Sequence, residues 1–147
     1  MQHKPRVLFF STGDSTRSQM AEGFLRTLAG NEVVAVSTAV ESAASDPITG
    51  QVMKELGVDI SNQRPKNVAE SLKEHFSFVV TVCDASKERF PVWPFSRNIV
   101  HWSLIDPERA GGSTEQKWAV FRNVRDDIRH KVSELWTQIH PQLHGSS

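Results

Sequence analysis

Val7-Leu8-Phe9-Phe10-Ser11-Thr12-Gly13-Asp14-Ser15-Thr16-Arg17-Ser18 joins a continuous apolar run to a small polar loop, and the architecture of the chain follows from it. The run Val7 to Phe10 has the pattern of a strand buried on both faces of a sheet. Beyond the loop, Met20, Ala21, Phe24, Leu25 and Leu28 recur at helical spacing until Gly30, which stands where a C-terminal glycine ends a helix. A strand therefore passes through a short loop into a helix N-terminus. Such a junction offers backbone N–H groups and the positive end of a helix dipole, and so can hold an anion without any special side chain. Gly13 allows the tight backbone path, and Arg17 adds a planar donor fork suited to two oxygens of a phosphate or arsenate. The expected guest of the loop Ser11, Thr12, Gly13, Asp14, Ser15, Thr16, Arg17 and Ser18 is a tetrahedral oxyanion.

The remaining chain alternates strand and helix patterns. Strands are expected at 6–10, 33–37, 78–82 and about 98–102, and helices at 18–29, 47–56, 67–75 and from 114 onward. Ser45-Asp46-Pro47 opens the second helix and Gly57 stops it. Ser113 and Gln116 have capping-box spacing, and Trp118, Phe121, Val124, Ile128, Val132, Leu135 and Ile139 mark the buried face of the last helix. The order predicts an α/β fold: one three-layer domain over 1–147, with a four-stranded, mainly parallel sheet flanked by helices on both faces. Its core spans about 5–137, and a polar tail follows from about 140. In such folds ligands bind beyond the carboxyl ends of the strands, which is where the first loop lies.

Composition excludes several function classes. Lys and Arg number 17 and Asp and Glu 17, so no charge excess points to nucleic acid or a membrane surface. One cysteine supplies no disulfide framework and fits a reducing cytoplasm. No signal peptide, long apolar span or repeat is visible. His140 and His144 have helical spacing with Pro141 between them near the polar end, which favours a frayed tail over a metal site. No metal or other cofactor is expected. Trp93, Pro94 and Phe95 form an apolar loop that could rim a pocket or receive a partner and is expected first to cover the core.

The strand, the loop ending in Arg17-Ser18 and the helix opening Gln19-Met20-Ala21-Glu22-Gly23-Phe24 resemble the low-molecular-weight protein tyrosine phosphatases and the arsenate reductases that share their fold. The thiol- or thioredoxin-coupled arsenate reductase branch is the most similar. Gly57-Val58-Asp59-Ile60-Ser61-Asn62-Gln63, Val79-Val80-Thr81-Val82-Cys83-Asp84-Ala85, His101-Trp102, Asp106-Pro107 and Phe121 to Ile128 extend the resemblance over roughly 5–137. It implies that position 11 holds the attacking cysteine of the family. This chain has Ser11 there, Thr16 at a second loop cysteine found in many relatives, and the region of Phe90 where a third redox cysteine would fall. Cys83 is the one remaining thiol, expected as an inert strand-end residue, and one cysteine cannot close an intramolecular disulfide. The loop lowers a thiol's pKa but cannot ionise an alcohol, and no histidine lies near Ser11 in sequence to act as its base.

Three further expectations concern charge. Relatives usually carry asparagine where this chain has Asp14, which brings an anion toward an anion site; at about 4 Å and an effective dielectric of about 20 the repulsion is roughly 4 kcal/mol. Some arsenate reductases hold a potassium ion beside the loop with help from an acid near position 66. Here Lys66 is expected either to replace that ion by pairing with Asp14, with Glu22 and Ser37 nearby, or to be a solvated charge. Asp106-Pro107 resembles the turn that supplies the general acid to a phosphoester leaving group.

Three functions follow. The first is an arsenate reductase-like pseudoenzyme, tied to an arsenic response as a sensor or sequestering module, that binds phosphate, arsenate or a phosphoester with little or no turnover. The second is an impaired phosphatase using Ser11, or an engineered Cys-to-Ser trap, against which Asp14, Thr16 and Phe90 together argue. The third is a module with a closed site that binds a protein partner.

Overall fold

The computed structural model describes residues 4–12, 15–39, 46–83 and 93–143. Gly13, Asp14, Phe90 and His144 lie outside the described residues, as does the side chain of Cys83. The strands are β1 (Arg6–Ser11), β2 (Val34–Ala39), β3 (Phe78–Cys83) and β4 (Asn98–Ser103). The helices are α1 (Thr16–Ala29), α2 (Pro47–Lys54), α3 (Val68–Ser71) and α4 (Thr114–Leu143), with 3-10 turns at Gly30–Glu32 and Pro107–Arg109.

One four-stranded sheet has the order β2-β1-β3-β4, and all its pairs are parallel. The central β1 is buried on both faces, which is why its sequence is continuously apolar rather than alternating. Val7 and Phe9, with Val80 and Val82, pack under α1, α2 and α4 in the larger core. Leu8, Phe10 and Val79 face the other way, against Phe76 and Trp93, with Val68 and Leu72 alongside. The chain leaves β1 toward β2 on one side and returns to β3 on the other. The carboxyl end of β1 is thus the switch point of the sheet, where strand ends part and leave room for a ligand.

Local signals place the helix ends. Asp46 accepts the Ile48 amide at 2.9 Å ahead of Pro47, a cap of about 1 kcal/mol. Ser113 and Gln116 exchange hydrogen bonds of 2.7 and 3.2 Å at the head of α4. Gly30 and Gly57 take positive φ after α1 and α2.

The first helix and the chain's last helix depart from the sequence expectations at their carboxyl ends. Leu28 is 44 % exposed, because the last turn of α1 opens onto a small groove shared with Leu56 and Arg129 rather than onto the sheet. The chain does not fray at His140, since α4 continues through Pro141. Proline removes one amide from the last turn, and the carbonyl it would have met belongs to the exposed Thr137. Buried Ile139 and the Trp136–His140 ring contact hold that turn in place.

Candidate oxyanion-binding site

Ser11 ends β1 between Ala39 and Val82 and is fully buried. Its Oγ accepts the Ser18 amide at 2.9 Å, so the first turn of α1 points a backbone donor back at the strand end. Thr12 continues the strand path by donating its amide to Val82 O at 3.2 Å. Ser15 precedes the helix, and its carbonyl takes the Gln19 amide at 2.8 Å and the Ser18 hydroxyl at 3.1 Å. Gln19 Nε2 donates to Ser15 Oγ at 2.6 Å, and Gln63 Nε2 donates to Gln19 O at 3.0 Å. This relay fastens the loop's exit to the 58–63 segment, beside a groove of about 620 Å³ between α2 and residues 59–65.

Arg17 is 1 % exposed. One terminal nitrogen donates to Leu104 O at 2.7 Å, the other lies 3.9 Å from Asp106 Oδ2, and Nε has no hydrogen-bond partner among the described residues. Burying an unmatched cationic N–H is costly. Asp106, itself mostly buried, spends Oδ1 on the Glu108 amide at 3.0 Å and so caps the 3-10 turn at 107–109. Asp106, the residue expected as the acid, thus starts a 3-10 turn, and its Oδ2 lies 3.9 Å from both Arg17 and Arg109.

The sequence reading gave Glu108 and Thr49 no role. Thr16 Oγ1 donates to Glu108 Oε2 at 2.9 Å and accepts from Thr49 Oγ1 at 3.3 Å, tying α1, α2 and the Asp106 turn together. Glu108 follows the Asp106-Pro107 pair directly, which was the only available signal. Thr49 gave none, being a small polar residue within an amphipathic helix.

Glu22 and Ser37 are buried beneath α1. Glu22 Oε2 pairs with Arg26 at 2.8 Å, while Glu22 Oε1 and Ser37 Oγ find no partner of hydrogen-bond geometry among the described residues. Burial pushes the Glu22 carboxyl up, and the adjacent Ser37 hydroxyl and Arg26 only partly oppose this.

Among the described residues Lys66 meets a carboxylate, Glu74, and is not simply a solvated charge, while Asp14, the partner expected for it, lies outside the described residues. The Lys66 backbone is pinned to β2, with its amide on Ser37 O and its carbonyl accepting Thr38 Oγ1, both at 2.6 Å. Its ammonium lies 2.8 Å from Glu74. Glu74 also takes Arg6, the first residue of β1, so Lys66 is drawn toward the end of the sheet opposite the loop. Cys83 closes β3 opposite Ser103.

A profile of the low molecular weight phosphotyrosine protein phosphatases matches residues 6–144. Arsenate reductases of Halalkalibacterium halodurans and Bacillus subtilis are each 38 % identical to this chain. The alignments cover 88 % of it and, respectively, 94 % and 93 % of those proteins. A solved arsenate reductase in its phosphate-binding state superposes with a TM-score of 0.77 at 30 % identity, over 92 % of this chain and 98 % of that one. The low molecular weight protein tyrosine phosphatase of T. tengcongensis, at 22 % identity and a TM-score of 0.66, shares the fold. The buried arginine at a strand-to-helix junction, the Asp-Pro turn beside it and these matches place the chain in the low molecular weight phosphotyrosine protein phosphatase family, on its arsenate reductase branch.

Proposed function

We propose that this protein is a cytoplasmic receptor for a tetrahedral oxyanion, taking phosphate, arsenate or the phosphate of a phosphoester into the loop Ser11–Ser18 with little or no turnover. The observation that carries this reading is the buried Arg17 guanidinium, whose Nε is unmatched at the N-terminus of α1. An anion oxygen would satisfy that donor while the helix dipole and neighbouring amides stabilise its charge. Gly13 and Asp14 complete the proposed loop.

Turnover is limited by Ser11. The Ser18 amide that would stabilise a thiolate meets a hydroxyl here, whose pKa is far too high for one hydrogen bond and a dipole to ionise. Among the described residues no histidine bonds to Ser11, which leaves Asp14 as the nearest carboxylate in sequence, a weak base for an alcohol. Reduction of arsenate needs an arseno-thiol and then a disulfide, and the chain has one cysteine. Asp106 keeps the position from which a carboxyl would protonate a leaving group, without a nucleophile to precede it.

Calorimetric titration with phosphate and arsenate tests the binding, and p-nitrophenyl phosphate hydrolysis tests the turnover. Saturable binding at about 1 mM or tighter with no measurable hydrolysis is expected. Hydrolysis lost in Ser11→Ala would instead make the protein a serine-dependent phosphatase. Absence of binding would leave a closed module whose ligand is a protein.

A further inference from the structure

At the amino ends of the strands, opposite the anion loop, lies a second cavity of about 680 Å³ lined by Lys4, Arg6, Glu74, His75, Phe95 and Arg97 among others. Its chemistry is mixed in a specific way. Phe95 is 50 % exposed, lines the cavity and packs against the His75 imidazole, with ring centroids 5.4 Å apart and planes tilted by 40°. The Arg6 guanidinium lies 4.8 Å over the Phe76 ring and is committed to Glu74. Glu74 is shared with Lys66, so the single carboxylate of the lining is already matched twice. Lys4 and the Arg97 side chain make no hydrogen bond or ion pair among the described residues, and Arg97 is fixed at the rim by its own amide on Phe76 O at 3.2 Å.

A half-exposed phenylalanine backed by a second ring is a stacking surface, and two unmatched cations beside it select negative charge. An inorganic anion would leave the ring unused, and a neutral aromatic would leave the cations unused. We propose that this cavity binds a free nucleotide, its base on Phe95 and its phosphates between Lys4 and Arg97. The volume is that of a small-molecule site, and the balance of 17 basic and 17 acidic residues gives no net positive charge to draw a polynucleotide. The site is separate from the loop Ser11–Ser18 and stands whether or not that loop binds phosphate.

A ¹⁵N–¹H NMR titration of the full chain with ADP, adenosine and pyrophosphate tests the proposal. ADP is expected to give saturable shifts at residues 4–6, 74–77 and 95–97 and to bind about tenfold more tightly than either adenosine or pyrophosphate. Phe95→Ala and Arg97→Ala, both exposed and so compatible with folding, should each weaken ADP about tenfold while leaving shifts of residues 15–18 on phosphate addition as in the wild type. The proposal is overturned by ADP shifts confined to residues 15–18, by no saturable shift at millimolar ADP, by pyrophosphate binding as tightly as ADP, or by affinity unchanged in both variants.

Discussion

Replacing Thr16 by valine keeps the shape of the side chain and removes one hydroxyl from the junction of α1, α2 and the Asp106 turn. That hydroxyl donates to Glu108 Oε2 at 2.9 Å and accepts from Thr49 Oγ1 at 3.3 Å. Thr49 is fully buried, so in Thr16→Val its hydroxyl is left without this acceptor at a cost of about 1–2 kcal/mol. Glu108 is half-exposed and water replaces its lost donor, which limits that part to about 1 kcal/mol. The total of about 2 kcal/mol corresponds to a Tm lowered by roughly 4–8 °C in a chain of this size. Urea unfolding followed by tryptophan fluorescence should show a lower midpoint at an unchanged m-value. Adding Thr49→Val to Thr16→Val should recover about 1 kcal/mol, because it removes the orphaned hydroxyl. A single variant within 0.5 kcal/mol of wild type, or a double variant that adds the two losses, would refute the junction as described.

Gly23→Ala gains about 1 kcal/mol of helix propensity but places a Cβ 2.7 Å from Ile60 Cγ2 and 3.1 Å from Val58 Cγ1. A net loss of about 1 kcal/mol by urea unfolding is expected, and stabilisation would contradict the close packing of α1 on the 58–63 segment. Burial raises the folded-state pKa of Glu22 above its ordinary 4.5, so this group's contribution is largest below pH 4.5 and is lost as pH rises through the folded value. Stability measured from pH 4.5 upward should therefore fall less in Glu22→Gln than in wild type, and equal slopes would exclude the raised carboxyl. Glu55 behaves oppositely, because hydrogen bonds from Arg122 and then Arg125 lower it from 4.5 to about 2. Its contribution is present above pH 4.5 and disappears as pH falls toward 2, so Glu55→Gln should flatten that acid limb; an unchanged limb would exclude the Arg122–Glu55–Arg125 cluster as its source.

What could be read from the sequence was local. The apolar run of β1, the Asp46-Pro47 start and the Ser113–Gln116 box each carry their cause within a few residues, and each is in place. The strand and the helix on either side of Gly13 and Asp14 were legible for the same reason, since each pattern is contiguous. Contacts made by sheet topology were not. Thr16 meets Glu108 across 92 positions, and nothing at either position announces the other. Nothing near Lys66 in sequence points to Glu74, which its side chain reaches at 2.8 Å from a backbone attached to β2. Trp118 was expected on the buried face of α4 and is only partly buried, packed against the core with the Arg122 guanidinium 5.3 Å from its ring. Helical spacing gives the face, while depth depends on where the helix overhangs its neighbours.

The reading of the loop as an oxyanion receptor rests on one buried donor, so the Arg17 Nε–H resonance is the measurement to make. Followed by ¹⁵N–¹H NMR during phosphate addition, it should move saturably, with the same midpoint as the Ser18 amide, to the position of a hydrogen-bonded guanidinium. An Nε–H signal that stays fixed at millimolar phosphate, while phosphate shifts other amides or none, would contradict anion binding at Arg17.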